Sequence, residues 1–396
     1  MEVIFLIGSV QAVFLAVLIF SKKNKATADY VLAFWMIFIG LHLLFEYFNF
    51  NELHLQYPHL AGVSFCFPIL QGPFMFVYIA ILIDERGTFK KSYLGHAVLF
   101  LLSVIYLIFD FYSLSGPEKI SYYNELSMSL PIPYKIIGFL NVCVGPAYII
   151  WSLVLLKKHR KNITNQFSYS EQINLDWLKY IIAGLGFVWA IVLLTNIAEG
   201  FIKGIPYILG GRLIYVSTTL MVFFLGYFGF KQSIIFSDIS LESARIAIKK
   251  HMDQVPIKTQ TIKVESYRQQ AEKYKHSGLK PVDAKTYIDH LLEYMKNEKP
   301  YLESKLSIKQ LADQIDLTTN YLSQIINEIL GKNFFDFINE YRVEEVKYCM
   351  ADPNFRNFTL LAIAYECGFN SKSSFNSIFK KYTNLTPSEY LKTIAA

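Results

Sequence analysis

The first part of the chain alternates long apolar stretches with short polar breaks. Seven stretches, at about 3–20, 31–50, 59–83, 95–114, 135–156, 178–198 and 212–230, are each about long enough to cross a hydrocarbon core of roughly 30 Å, which takes about 20 helical residues. The first is expected to persist as a helix rather than act as a signal peptide: Met-Glu-Val lacks a basic start and no small-residue cleavage site follows. After Phe230 the apolar pattern collapses. A polar linker follows over 231–282, with a short amphipathic helix expected from Ser240 to about Met252. From Asp283 apolar residues return at helical spacing, with Tyr287, Ile288, Leu291, Leu292 and Met295 ending before Pro300. The pattern predicts an all-α chain, with a seven-transmembrane helix bundle over 1–230 and a helical domain over 283–396.

Composition agrees with that division. Hydrophobic residues make up 53% of the 396 and charged residues 18%, which argues against an ordinary soluble enzyme. Before Lys231 there are 15 Lys+Arg and 12 Asp+Glu, leaving 23 and 20 of the totals 38 and 32 for the shorter remainder. The net charge of +6 is split evenly, so charge alone does not point to nucleic acid. The four cysteines form no CxxC pair and no Cys/His ligand spacing, which excludes a zinc finger or a disulfide scaffold, and no metal or cofactor is expected.

Loop cations set the expected orientation. Lys22, Lys23 and Lys25 follow the first stretch, Arg86, Lys90 and Lys91 the third, and Lys157, Lys158, Arg160 and Lys161 the fifth. Alternate loops hold only Lys119 and Lys203, with Lys135 and Arg212 at helix starts. The N-terminus is therefore expected outside the cytoplasmic (inner) membrane and the region after Lys231 in the cytoplasm.

Polar residues at membrane depth are costly and mark candidate function. Gln11, His42, Glu46, Gln71, Asp110, Asn141, Asn196 and Glu199 form a candidate ligand pocket open to the outside, with headgroup contacts and interhelical hydrogen bonds as the alternative. Pro68, Pro73 and Pro146 are expected to kink their helices. The last stretch lacks the buried lysine a retinal protein needs, and no HExxH, paired-aspartate or Ser/His set lies at membrane depth. No catalytic residue is assigned.

Beyond Pro300, Ser307 can cap a short helix with Ile308, Leu311, Ala312 and Ile315 inward. Asp316-Leu317-Thr318 supplies a turn, and a second helix over about 319–330 buries Leu322, Ile325 and Ile326 before Gly331. Two short helices joined by a tight turn fit a helix-turn-helix over about 307–331. The pattern repeats over about 359–383. Ala312, Ile315, Asp316 and Leu317 match Ala364, Cys367, Gly368 and Phe369 at an offset of 52, and Leu322, Ile325 and Ile326 match Phe375, Ile378 and Phe379 at 53. A longer helix over 334–350 joins the copies. Two such units on one helix can enter successive major grooves about 34 Å apart.

The stretch 306–392, with Ala364-Tyr-Glu-Cys-Gly-Phe-Asn-Ser-Lys-Ser-Ser-Phe and Leu385-Thr-Pro-Ser-Glu-Tyr, resembles the DNA-binding domain of the AraC/XylS family of bacterial transcription regulators. The whole architecture is similar to the membrane-embedded regulators of that family found in Bacteroidota. The family often has glycine where this chain has Asp316, which tolerates a left-handed conformation. The resemblance implies DNA contacts from Thr318, Thr319, Asn320, Tyr321, Ser323 and Gln324, and from Asn370, Ser371, Lys372, Ser373, Asn376 and Ser377. Asn and Gln can pair with adenine and Lys with guanine. Lys380 and Lys381 are placed for phosphates, while Asn320 and Ser371 could equally serve as helix caps.

The resulting expectation is a membrane-bound one-component transcription regulator and not an enzyme. Its expected partners are double-stranded DNA, the lipid bilayer, an unknown small-molecule or envelope signal, and a second copy in a homodimer. The rival is a transporter or channel with a cytoplasmic autoregulatory DNA-binding domain. Signal transmission is expected through the last span and the linker.

Overall fold

The computed structural model describes residues 2–231 and 281–395, apart from 85, 170–174, 176, 202–206 and 356. The linker helix expected at 240–252 lies outside the described residues. Among the described residues every regular element is helical, and one isolated antiparallel bridge joins Phe167 to Ser307. The chain divides into two compact units. The first holds Met1–Lys158 and the stretch that begins at Leu175, and the second holds His159–Asn174 and the stretch that ends at Ala396.

The first unit contains α1 (Val3–Phe20), α2 (Thr27–Phe50), α3 (Pro68–Ile83), α4 (Val98–Leu107), α5 (Gly116–Met128), most of α6 (Ile132–Gln166), α7 (Leu178–Phe201) and α8 (Tyr207–Lys231). Among the described residues, six apolar helical segments, namely Val3–Phe20, Thr27–Phe50, Lys91–Tyr112, Ile132–Gln166, Leu178–Ala198 and Leu209–Gly226, are long and apolar enough to cross a membrane. The third expected stretch is shorter than its apolar run: Pro58–Leu60 is a 3-10 turn, and α3 begins only at Pro68. Pro68 therefore starts its helix rather than kinking it, because a first-turn proline forfeits no helical hydrogen bond, whereas Pro73 and Pro146 lie inside α3 and α6. The fourth stretch is not one α-helix either. It runs as a 3-10 segment Lys91–Ala97, then α4, then a π turn Ile108–Tyr112.

Small residues let these helices approach closely, the packing expected where burial of apolar surface gives little drive. Ser9 Oγ donates to the Gly40 carbonyl at 2.7 Å, joining α1 to α2. A Cβ on Gly8 would come within 2.5 Å of Thr219 Oγ1 on α8, and one on Gly145 would overlap the Trp189 indole of α7. The core gathers Leu15, Trp35, Met36, Ile39, Ile79, Ile81, Leu178 and Val222 from five helices, while Phe109, Phe139 and Leu194 face outward.

The second unit contains α9 (Pro281–Asn297), α10 (Ile308–Gln314), α11 (Thr319–Gln324), α12 (Phe334–Ala351), α13 (Leu360–Glu366), α14 (Lys372–Thr383) and α15 (Pro387–Ala395). It has two cores, and α12 serves both. Phe334, Phe337 and Ile338 pack with Leu291, Met295, Leu311, Leu322 and Ile326. One to three turns later Val343, Val346, Cys349 and Met350 pack with Ile363, Ala364, Phe375, Ile378 and Phe379. The apolar stripe of one helix thus holds two otherwise separate three-helix clusters on a common frame.

Candidate nucleic-acid interface

Each cluster presents one helix from a matching frame. Ser307 caps α10 in a reciprocal box with Gln310, and Thr359 caps α13. The turn then closes identically: Leu317 N–H donates to Ala312 O at 2.9 Å, and Phe369 N–H donates to Ala364 O at 3.0 Å. Between donor and acceptor the chain must turn left-handed, and Asp316 (φ 55) and Gly368 (φ 86) do so. Asp316 accepts that conformation as expected, since its short polar side chain costs least there among ordinary residues. Past the turn, Thr318 caps α11 by accepting from Tyr321 N–H at 3.3 Å, and Ser371 caps α14 by accepting from Ser374 N–H at 3.1 Å. These caps sit 53 residues apart, where those before the turn sit 52 apart, so the repeat and its single inserted residue are built into the backbone. In the first helix-turn-helix the cap is Thr318, not Asn320, which leaves the Asn320 amide exposed.

The residues expected at DNA differ in exposure and in what they already touch, and Ser373, though exposed, holds its hydroxyl 3.2 Å from that of Ser371. Asn320, Lys372, Ser373, Asn376, Ser377 and Lys380 are exposed, as is Thr318 beside its cap. Others are partly engaged. Tyr321 sets its ring edge-on to Tyr287 at 5.3 Å. Gln324 Nε2 donates to Glu328 at 2.8 Å, and Asn327 Nδ2 donates to Ser323 Oγ at 3.0 Å. Thr319, Asn370 and Ser371 are half-buried, with Asn370 Nδ2 shielded from solvent. Lys381 pairs with Asp336 at 2.6 Å, and Tyr382 O–H donates to the Asp336 carbonyl at 3.0 Å. That tie from α14 to the start of α12 was not foreseen, although the Asn333/Asp336 spacing of a helix start signals an acid there. Exposed amides and hydroxyls can donate to and accept from base edges, and exposed lysines suit phosphates.

The polar residues of the first unit fall into separate groups. His42 and Glu46 meet, Nε2 to Oε1 at 3.8 Å, and Ser64 Oγ donates to Glu46 at 2.6 Å. Gln71 accepts from the Trp35 indole at 2.8 Å. Asp110 accepts from Tyr122 at 3.0 Å and from Tyr134 at 2.8 Å, and Asn141 donates to Phe65 O at 2.7 Å. Asn196 turns back to Val192 O on its own helix at 2.8 Å. Gln11 Nε2 would lie 3.3 Å from a Cβ on Gly226, and the Glu199 side chain lies outside the described residues. Glu46, Gln71, Asp110, Asn141 and Asn196 each make a hydrogen bond to a nearby residue, as interhelical or capping bonds do, whereas His42 Nε2 and Asn141 Oδ1 are buried without a hydrogen-bond partner.

Against known proteins, residues 311–393 match the family described as "Helix-turn-helix domain". The chain is 32% identical over 90 residues to an uncharacterized HTH-type transcriptional regulator of Staphylococcus aureus (strain COL), covering 23% of this chain and 12% of that protein. It is 25% identical over 118 residues to the transcriptional regulatory protein HptR of Staphylococcus aureus (strain NCTC 8325 / PS 47), covering 30% of this chain and 45% of that protein. The chain thus spans about an eighth of the first relative and under half of the second. A solved protein of unknown function from Listeria innocua is 29% identical, covers 27% of this chain and 95% of its own, and superposes with a TM-score of 0.24. This chain carries a helix-turn-helix domain of the kind found in transcriptional regulators, with several apolar helices in its N-terminal half.

Proposed function

We propose that the chain is a membrane-bound, one-component transcription regulator of the AraC type, whose apolar bundle senses a signal and whose two helix-turn-helix units read DNA. The observation that carries it is the doubled frame: two presenting helices, with the same caps and the same turn, both packed on α12. A protein that binds one half-site needs only one such unit, whereas two on a rigid helix suit successive major grooves.

The topology turns on α3. At 1.5 Å per residue its 16 residues reach about 24 Å, short of a roughly 30 Å core. Twelve of those residues are buried against neighbouring helices, and a helix so enclosed has little lipid to match. Counting it as a span gives seven and puts the N-terminus outside, with the DNA-binding domain in the cytoplasm. DNA, the bilayer, an unidentified small-molecule or envelope signal and a second copy are the partners of this reading.

In-cell crosslinking and sequencing of DNA bound by full-length protein, tagged at each end and followed through membrane fractionation, tests it. Discrete sites recovered with the intact membrane form are the expected result. Recovery of no sites by any form would remove the DNA assignment. Recovery only by a soluble C-terminal fragment would replace tethered action with proteolytic release.

A further inference from the structure

The second unit contains a peptide that the sequence places far from it. His159–Asn174 belongs to this unit, and within it Phe167 pairs antiparallel with Ser307, the cap of α10. Ser168 is 1% exposed, and each of its three polar groups is bonded. Its N–H and its hydroxyl both donate to Leu306 O, at 3.1 and 2.7 Å. Its carbonyl accepts from Asn339 Nδ2 at 2.9 Å and from Arg342 Nη1 at 3.1 Å, and its Oγ accepts from Arg342 Nη2 at 3.1 Å. Tyr169 is buried beside it, its ring 5.6 Å from that of Phe167.

The receptor is unusual for a helix interior. Arg342 is 2% exposed and Asn339 fully buried, on the face of α12 that otherwise carries its apolar stripe. Besides Ser168, Arg342 donates to Tyr301 O and Glu303 O, each at 2.7 Å, and to Asn339 Oδ1 at 3.3 Å. The hydrogen-bond acceptors are all uncharged carbonyl and hydroxyl oxygens, and burial pulls the pKa of the guanidinium down to about 9, although the Glu303 carboxylate favours the cation through space. The turn of the second helix-turn-helix closes the same place: a Cβ on Gly368 would come within 2.4 Å of Tyr301 O and 3.0 Å of Arg342 Nε. Four pieces therefore meet at one guanidinium: the 3-10 turn Pro300–Leu302 with Glu303 after it, α12 itself, the turn after α13, and Phe167–Tyr169.

We propose that Phe167–Ser168–Tyr169 is a strap, docked in the Asn339/Arg342 receptor, whose docking or release sets how the two helix-turn-helix units are held together and so couples the apolar helices to DNA binding. The inference rests on the membrane-regulator reading and moves its transmission route away from the last span and the linker. The strap is continuous with α6, an uninterrupted helix of 35 residues, about 52 Å at 1.5 Å per residue, where roughly 30 Å crosses the hydrocarbon. A shift of α6 is therefore delivered to Ser168 without passing through the linker. Withdrawing Ser168 removes two of the bonds Arg342 makes, and a buried cation short of acceptors forces Tyr301, Glu303 or the guanidinium itself to move.

Two measurements test this on the full-length protein. Phe167→Cys with Ser307→Cys, on a Cys143→Ser background, is oxidised in native membranes. The two positions face each other in the bridge, so a disulfide is expected, and none from Ser307→Cys alone; failure to crosslink would overturn the docking, whatever the DNA result. Occupancy of the sites recovered from the wild-type protein is then compared for the locked double-cysteine form and for Ser168→Trp, whose side chain cannot fit the buried position. The two are expected to deviate in opposite directions from wild type, by roughly tenfold between them. Ser168→Ala, which keeps all three main-chain bonds of Ser168, is expected near wild type. Equal occupancy of locked and strap-ejected forms, or a drop in both, would overturn the coupling and leave the DNA-binding reading standing. Absence of sites for the wild type itself would overturn that reading instead.

Discussion

The two helix-turn-helix units share a backbone frame and differ in everything that faces outward from it. In the first, the left-handed residue is Asp316, exposed to solvent, whereas in the second it is Gly368, buried with no room for a Cβ. From Thr318 to Gly331 the only charged side chain is Glu328, while Ser371 to Asn384 carries Lys372, Lys380 and Lys381. α11 gives way to a π turn at Ile325–Ile329, while α14 runs unbroken for 12 residues. A repeat thus preserves caps, turn and inward apolar positions because folding needs them twice. Residue choice elsewhere follows what each copy abuts: the second turn abuts Tyr301 and Arg342, the first abuts water.

The turn difference carries the largest expected effect. Gly368→Ala meets both the left-handed penalty of about 1–2 kcal/mol and a clash with a backbone oxygen that cannot move away freely. We expect a destabilisation of about 3 kcal/mol or more, read as diminished hydrogen-exchange protection of α12 amides in the detergent-solubilised protein. Asp316→Ala, with the same φ requirement and open space, should cost about 1 kcal/mol. Equal costs at the two positions would mean that the enclosure of Gly368 is unimportant.

The charge difference should separate affinity from reading. Replacing Lys372 or Lys380 with Ala is expected to lower the slope of log affinity against log salt by about 0.9 for each DNA phosphate that the lysine no longer neutralises. Lys381→Ala should do less, because that ammonium is already paired with Asp336. Asn320→Ala, in the uncharged helix, is expected to leave the slope unchanged and to relax preference at one base pair, by about 1–3 kcal/mol of discrimination. Titrations of recovered DNA sites at several salt concentrations measure both quantities. A changed slope for Asn320→Ala, or an unchanged one for both lysines, would break the division of labour.

What was legible in the sequence was local. Ser307, Ala312, Gly331 and the 52/53 offset are short-range patterns, and they led directly to the two units and to α12 between them. The helix α5 carried an equally local signal, Ser115 with Glu118 in a capping box, that apolar counting passes over. Apolar runs also overstate helices: the third stretch spends Pro58–Phe67 in turns before Pro68 can begin α3. The strap was not legible, because Ser168 and Arg342 lie 174 positions apart and share no periodicity. A trace existed on α12 alone, where Asn339 and Arg342 interrupt the stripe that runs from Phe335 and Ile338 to Val346 and Cys349. The candidate DNA residues were legible as positions but not as states, since which amide is free and which is held, as Gln324 is by Glu328, depends on neighbours a turn away.

The smallest expected effect sets two helix starts of nearly identical geometry against each other. At α10, Ser307 N–H donates to Gln310 Oε1 at 2.8 Å and Gln310 N–H donates to Ser307 Oγ at 3.3 Å. At α15, Thr386 N–H donates to Glu389 Oε2 at 2.7 Å and Glu389 N–H donates to Thr386 Oγ1 at 3.3 Å. The first box is neutral and the second ionised. The Thr386 backbone N–H, and then its hydroxyl, hold the Glu389 carboxyl below its ordinary 4.5. A carboxylate whose folded pKa is depressed contributes stability above its unfolded pKa and loses it as pH falls through the folded one. Below about pH 4.5 the first turn of α15 should therefore exchange its amides faster, relative to their intrinsic rates, while the first turn of α10 does not. Glu389→Gln should make the second box as indifferent to acid as the first. If both turns loosened together, or if Glu389→Gln kept the pH dependence, the acid response would belong to the domain as a whole and not to this cap.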